Sequence, residues 1–189
     1  TMYLTRAESP GPSGSKLVPK VRKTAFVLYG IYIGMTVLEI LFLLLARMPL
    51  YDTLCITFGT AGTGGFAVYS DSMAGYGPYL QIVVTVFMFL FGVNFSFYYL
   101  LLTKRVKEAF QIEEVRAYFA LFAASSVLIA LNLLPQLGNL ADSLRHAAFQ
   151  VSSIMTTTGF ATVDFDKWPE FSRMLLVLLM FVGACAGST

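Results

Sequence analysis

The sequence predicts an all-α integral membrane protein made of two span–pore helix–span copies, the second of them truncated. Of its 189 residues, 57% are hydrophobic and only 13% are charged, whereas about a quarter of the residues of a soluble domain are charged. Four apolar segments follow one another, and a short cluster of threonine and glycine recurs at the same place after the first and the third. These three observations favour the lipid bilayer as the solvent.

Composition also excludes several classes of protein. The 13 basic and 11 acidic residues leave a net charge of +2, which does not favour nucleic acid as a partner. Cys55 and Cys185 lie in apolar surroundings and are interpreted as packing residues. An intramembrane enzyme would need a nucleophile with a base or paired carboxylates, and the single histidine, His146, with the isolated Glu39 does not supply them. We therefore expect neither enzymatic activity nor a covalent cofactor.

Three of the apolar segments are long enough to cross a membrane, which takes about 20 helical residues. They run from about Thr24 to Ala46, Leu80 to Leu102 and Val115 to Leu134. A fourth begins near Phe171 but is continuously apolar only over 174–182, so we expect an interrupted span and a truncated chain. The predicted division is a polar cytoplasmic segment 1–23, a first repeat 24–102, a cytoplasmic linker 103–114 and a second repeat 115–189.

Basic residues predict the orientation of these spans, because loops rich in lysine and arginine face the cytoplasm. They cluster before the first span and between the second and third: Lys16, Lys20, Arg22, Lys23, Lys104, Arg105, Lys107 and Arg116. The connections 47–79 and 135–173 are then outside. Their acidic residues either enrich cations locally or only solvate the loops; they are Asp52, Asp71, Asp142, Asp164, Asp166 and Glu170.

Each outer connection contains an apolar stretch of about 12 residues, too short to span the membrane but suited to a re-entrant helix. The stretches lead into TAGTGGFA at 60–67 and MTTTGFAT at 155–162. A shift of 94 residues places Thr63 on Thr157 and Gly65 on Gly159, and it carries the first span onto the third. We therefore interpret the chain as two copies of one unit.

Irregular backbone at membrane depth is tolerated only where it is buried in protein or lines a water-filled cavity. Glycine permits the conformations that point successive carbonyls at one axis, where they replace the hydration shell of a cation. Neither cluster carries a charge, which suits K⁺ or Na⁺ better than Ca²⁺. The pattern is K⁺-channel-like and predicts an ion-selectivity filter at the two clusters. The alternative is that the glycines only allow close helix packing.

Three polar residues inside the apolar segments have two interpretations each. Glu39 in the first span is a functional hypothesis by default, or a structural group paired with a donor from a neighbouring helix. Asn94 and Asn132 are interpreted as hydrogen-bonding residues between helices rather than ion ligands.

Four stretches carry a resemblance to a known family: KLVPKVRKTAFVLYGIYIGMTVLE, TAGTGGF, SSIMTTTGFATVDFDKWP and GACAGST. They resemble the Trk/Ktr/HKT superfamily of potassium transporters, whose bacterial TrkH-like members have four such repeats. The resemblance implies that this chain covers the second and third repeats and that K⁺ is the transported ion. It also implies that Gly65 and Gly159 are the key filter glycines and that the other ion-binding residues, which contribute backbone or hydroxyl oxygens, are Thr63, Gly64, Thr157 and Thr158. It also implies an intramembrane gating loop at Gly183, Ala184, Cys185, Ala186, Gly187, Ser188 and Thr189.

The resemblance further implies gated potassium uptake across the bacterial cytoplasmic membrane, a homodimer, and a cytosolic nucleotide-binding regulatory subunit. Two alternatives stay open. One is a Na⁺-permeable or Na⁺-coupled transporter of the same fold, acting as a symporter, and the other is a non-conducting assembly subunit. The spacing of Gly183 and Gly187 also fits a GxxxG packing face of a helix in place of a gate.

Overall fold

The computed structural model describes residues 21–185 and Ser188, and the regular secondary structure of this part of the chain is helical, without strands. The predicted all-α class is confirmed. The helices are α1 (Val21–Leu45), α2 (Leu50–Ala61), α3 (Pro78–Phe91), α4 (Phe95–Leu102), α5 (Val106–Ala109), α6 (Glu113–Leu137), α7 (Leu140–Met155) and α8 (Glu170–Met180), with a 3₁₀ turn at Phe165–Lys167. Most of the predicted polar segment 1–23 lies outside the described residues.

Two of the described helices are long and apolar enough to cross a membrane, over Ala25–Leu45 and Glu113–Leu137. They correspond to the predicted first and third spans. The side chains of the first are mostly exposed, including Phe26 at 82% and Ile33 at 58%. Because exposed apolar surface of this extent is unfavourable in water, this helix suits contact with lipid or with other membrane helices.

The second predicted span, Leu80–Leu102, is not one continuous helix. It is divided into α3 and α4, which meet at an angle of 90°. The break falls at Gly92, where a β-carbon would collide with the Tyr118 hydroxyl. Asn94 then starts a new helix, because its Oδ1 accepts a hydrogen bond from Ser96 N at 2.8 Å, as an N-cap does.

The two asparagines also make the contacts between helices that the sequence predicts. Asn94 Nδ2 donates to Glu114 Oε2 at the start of α6, at 3.3 Å. Asn132 Oδ1 in α6 accepts a hydrogen bond from Ser172 Oγ in α8, at 2.7 Å. Hydrogen bonds of this kind stabilise helix pairs that pack in an apolar environment.

The fourth apolar segment forms the short helix α8, which ends at Met180. Gly183 follows with a φ of 72°, a left-handed conformation that glycine adopts without steric cost. The eleven residues of α8 are too few to cross the hydrocarbon core. The segment is thus interrupted near the position that the sequence indicates.

The two copies pack against each other through their apolar cores. Re-entrant helix α7 packs against α6, α3 and α8, and α2 packs against α1 and α3. One buried cluster is formed by α1, α2 and α3 and includes Ile56 and Phe91, but it also takes in Phe149 and Phe160 from the second copy. The end of α7 is therefore fixed against the first copy.

Candidate functional site

The two re-entrant helices end with the same backbone hydrogen bonds. Helix α2 ends at Ala61 and α7 at Met155, 94 residues later. Gly64 N donates to Gly59 O at 2.8 Å, and Thr158 N donates to Ser153 O at 2.9 Å. Because these bonds join equivalent positions of the two copies, both threonine and glycine clusters leave their helices along the same path.

Both clusters contain residues in the left-handed region. Thr63 has a φ of 49° and Thr157 a φ of 56°, while Gly65 and Gly159 have φ values of 65° and 92°. A non-glycine residue pays roughly 1–2 kcal/mol for this conformation. Such strain persists only where the surrounding structure imposes it, and it is concentrated at functional sites.

The two clusters lie directly against each other. A β-carbon on Gly65 would collide with the carbonyl oxygen of Thr158 and would lie 3.3 Å from the carbonyl carbon of Gly159. Gly65 therefore faces Thr158 and Gly159 across a backbone contact that no larger residue permits. The structure brings together the glycines that the sequence singles out in both copies.

Hydroxyl hydrogens in the second cluster point into the protein. Thr156 Oγ1 donates to Ser152 O at 2.7 Å, and Thr157 Oγ1 donates to Thr156 O at 2.7 Å. The 2.8 Å contact between Thr156 and Thr158 hydroxyls then takes its hydrogen from Thr158, since the Thr156 hydrogen is already in use. All three hydroxyl groups keep oxygen lone pairs available as acceptors.

Ser153 fixes the second cluster through its side chain, a role that the sequence analysis missed. Its Oγ donates to Phe160 O at 2.6 Å and accepts from Gly159 N at 3.1 Å. The equivalent residue of the first copy is Gly59, where a β-carbon would lie 2.9 Å from the Phe160 ring. The two copies therefore hold similar backbones by different contacts.

Replacing Ser153 with alanine leaves Phe160 O without a side-chain donor and removes one of the acceptors of Gly159 N. Loss of a buried partner costs about 1–3 kcal/mol, so we expect a clear drop in the thermal unfolding midpoint of the full-length protein in detergent. Ser152→Ala is the matched control, because among residues 21–185 and Ser188 the Ser152 hydroxyl bonds to Phe149 O of its own helix and not to the cluster. Equal midpoints for the two variants would contradict the role given to Ser153.

Segments that follow the clusters join the two copies on the side that the basic residues predict to be external. Met73 N donates to Ala161 O at 2.9 Å, and Ala161 N donates to Ser72 Oγ at 3.2 Å. His146 Nδ1 lies 2.8 Å from Thr162 Oγ1. Arg145 is always a donor, and its 3.1 Å contact with Nε2 leaves Nδ1 as the protonated nitrogen. His146 thus links α7 to Thr162, in the segment that follows the second cluster.

Three of the six acidic residues near this side form a salt bridge or a hydrogen bond. Asp142 pairs with Arg145 at 2.9 Å and Asp164 with Lys167 at 3.1 Å. Asp52 accepts a hydrogen bond from the Tyr76 hydroxyl at 2.9 Å. Burial raises the pKa of Tyr76, and the phenol therefore stays a donor to Asp52 at physiological pH.

The predicted gating loop begins beyond α8 and contacts the break in the second span. Cys185 is buried, and its N donates to Gly92 O at 3.1 Å. Gly183 is not helical, so it does not belong to a helix-packing face. Ala186, Gly187 and Thr189 lie outside the described residues, whereas Ser188 N donates to Cys185 O at 3.1 Å.

These features define an all-helical integral membrane protein in which two short helices end at adjacent, uncharged stretches of backbone. The family model described as "TrkH: Cation transport protein" matches residues 1–189. The chain belongs to the TrkH family, which confirms the resemblance seen in the sequence motifs.

Similar proteins include the Trk system potassium uptake protein TrkH of Salmonella typhimurium (strain LT2), 36% identical over all of this chain and 40% of that protein. The Trk system potassium uptake protein TrkG of Escherichia coli (strain K12) is 32% identical, over 98% of this chain and 39% of its own length. The crystal structure of the potassium transporter TrkH from Vibrio parahaemolyticus superposes with a TM-score of 0.83 at 29% identity, covering 93% of this chain and 39% of that one. The chain thus spans about 40% of the length of the curated relatives it matches.

Proposed function

We propose that the chain supplies two repeats of a potassium uptake protein, in which Thr63, Gly64, Gly65, Thr157, Thr158 and Gly159 form part of a selectivity filter. The observation that carries this proposal is the backbone contact of Gly65 with Thr158 and Gly159. Two clusters 94 residues apart meet there, with equivalent hydrogen bonds and equivalent left-handed residues. Close helix packing alone would not require equivalent carbonyl geometry in both.

An uncharged site of this kind suits a monovalent cation. Backbone carbonyls replace the hydration shell of the ion, while the absence of carboxylates keeps the ion weakly bound so that it can leave. Helices α2 and α7 both end at the site, and the C-terminal end of a helix carries partial negative charge. The names of the relatives favour K⁺ over Na⁺ as the ion.

Uptake would be driven by an inside-negative potential across the bacterial cytoplasmic membrane, worth about 2.3 kcal/mol per charge per 100 mV. The loop from Gly183 to Thr189 would control flow, and its contact with Gly92 supports a position next to the break in the second span. The homodimer and the cytosolic nucleotide-binding subunit stay predictions of the family resemblance.

Purified full-length protein reconstituted into lipid vesicles tests the proposal. With a potassium gradient across the vesicle membrane, we expect rubidium uptake that external K⁺ inhibits more strongly than external Na⁺ does. Empty vesicles serve as the control. Uptake at the level of empty vesicles, or equal inhibition by both ions, would contradict a potassium-selective filter.

A further inference from the structure

Glu39 is a buried carboxyl group in the middle of α1, and the proposed filter does not use it. Its side chain is 0% exposed. Residues of this chain enclose it, so the hydrogen-bond partners that they offer bear directly on its charge state.

The hydrogen bonds around Glu39 indicate whether its carboxyl group is charged or neutral. Helices α1 and α2 pack against each other, and the Thr60 hydroxyl of α2 interacts with the carboxyl group, but its hydrogen goes to Ile56 O at 2.8 Å. Neither oxygen of Glu39 receives a hydrogen bond from any residue between 21 and 185 or from Ser188. An ionised carboxylate can only accept hydrogen bonds, and a buried one without donors is strongly unfavourable.

A protonated carboxyl group resolves this conflict, since it carries a hydrogen of its own. We propose that Glu39 is a neutral carboxylic acid that donates to Thr60 Oγ1 and holds the last turn of α2 in place. Thr60 then passes a hydrogen bond on to Ile56 O. Glu39 is thus a positioning residue for the filter, an inference that rests on the function proposed above.

The link from Thr60 to the filter is short. Thr60 O accepts a hydrogen bond from Thr63 N at 3.2 Å, and Thr63 is the first left-handed residue of the cluster. A displacement of Thr60 therefore moves the backbone that leads to Gly65. Filters that discriminate between ions depend on the position and orientation of their carbonyls.

The second copy has no equivalent of this pair. The residues 94 positions after Glu39 and Thr60 are Leu133, which is fully buried, and Ile154. There the Ser153 hydroxyl holds the filter segment instead. The apolar pair of the second copy shows that a leucine is accommodated at this position of the fold, which makes Glu39→Leu an informative variant.

The test compares Glu39→Gln, Glu39→Leu and Thr60→Val in the full-length protein. Glutamine is neutral and still has a donor, so we expect Glu39→Gln to keep the wild-type K⁺ over Na⁺ selectivity. Glu39→Leu and Thr60→Val should each lower that selectivity by about tenfold, equivalent to about 1.4 kcal/mol. Thr36→Val is the matched control, because Thr36 is a buried residue of α1 whose hydroxyl bonds only to Tyr32 O.

Infrared spectroscopy at neutral pH tests the protonation state without relying on transport. The carbonyl band of a protonated carboxylic acid should be present in the wild type and lost in Glu39→Gln. Absence of that band, wild-type selectivity in Glu39→Leu, or equal damage by glutamine and leucine would each overturn the proposal. A protein that shows the band but conducts no ion would overturn the proposed function and leave the neutral state of Glu39 standing.

Discussion

Gly65→Ala is expected to lower potassium uptake by the full-length protein by at least about tenfold. The added β-carbon would collide with the Thr158 carbonyl oxygen, and the φ of 65° is unfavourable for alanine. Left-handed strain of roughly 1–2 kcal/mol and overpacking of typically 1–3 kcal/mol both fall on the backbone of the proposed filter, where about 1.4 kcal/mol is already tenfold. Growth of a transport-deficient strain at limiting K⁺, together with rubidium uptake, measures the effect.

Two other glycines serve as controls for this variant. Gly138 has nearly the same φ, 66°, but a β-carbon there meets no atom within 4 Å, so Gly138→Ala should keep most of the uptake. Gly159 has a φ of 92° and equally open surroundings among the described residues. Gly159→Ala should also lower uptake, because its left-handed backbone conformation is unfavourable for alanine. Wild-type uptake by Gly65→Ala would remove the filter assignment.

Phe160→Ala is expected to cause the largest loss of stability, about 3–5 kcal/mol, as is usual for a buried phenylalanine. The Phe160 ring is 0% exposed and belongs to the apolar cluster of the first copy, so its loss opens a cavity between the two re-entrant helices. The thermal unfolding midpoint of the full-length protein in detergent should fall by many degrees.

Phe160→Leu is the matched variant, because leucine keeps most of the apolar volume while it loses the ring beneath Gly59. We expect a smaller decrease in the midpoint, since a hydrophobic replacement of similar size usually costs less than about 1.5 kcal/mol. A wild-type midpoint for Phe160→Ala would show that the contact between the copies does not stabilise the fold.

Local properties of the chain account for what could be predicted of the fold. The lengths of α1 and α6 follow from uninterrupted apolar runs, which need helical hydrogen bonding to satisfy their backbone in a membrane. The ends of α2 and α7 follow from clusters of glycine and threonine, which leave the helix at a fixed position. The same reasoning identified the residues that meet at the candidate site.

The 90° bend between α3 and α4 was not predicted, because an apolar run that contains one glycine is compatible with a straight span. At the bend, the Tyr118 hydroxyl approaches Gly92 so closely that no β-carbon fits there, and Asn94 caps the new helix α4. The role of Ser153 was missed for a related reason, because only its partners Phe160 and Gly159 distinguish it from the other serines of α7.

The sequence by itself determined that this protein lies in a lipid bilayer, that it contains a repeat, and that each copy carries an uncharged cluster. These properties depend on hydropathy and glycine content, which act over a few neighbouring residues. Only the tertiary structure decided how those equivalent positions differ. Gly59 and Ser153 occupy the same place in the two copies, yet the Ser153 hydroxyl holds the second cluster, while a β-carbon at Gly59 would lie 2.9 Å from the Phe160 ring. That difference arises because contacts between residues distant in the chain determine which side chain fills the space between the copies.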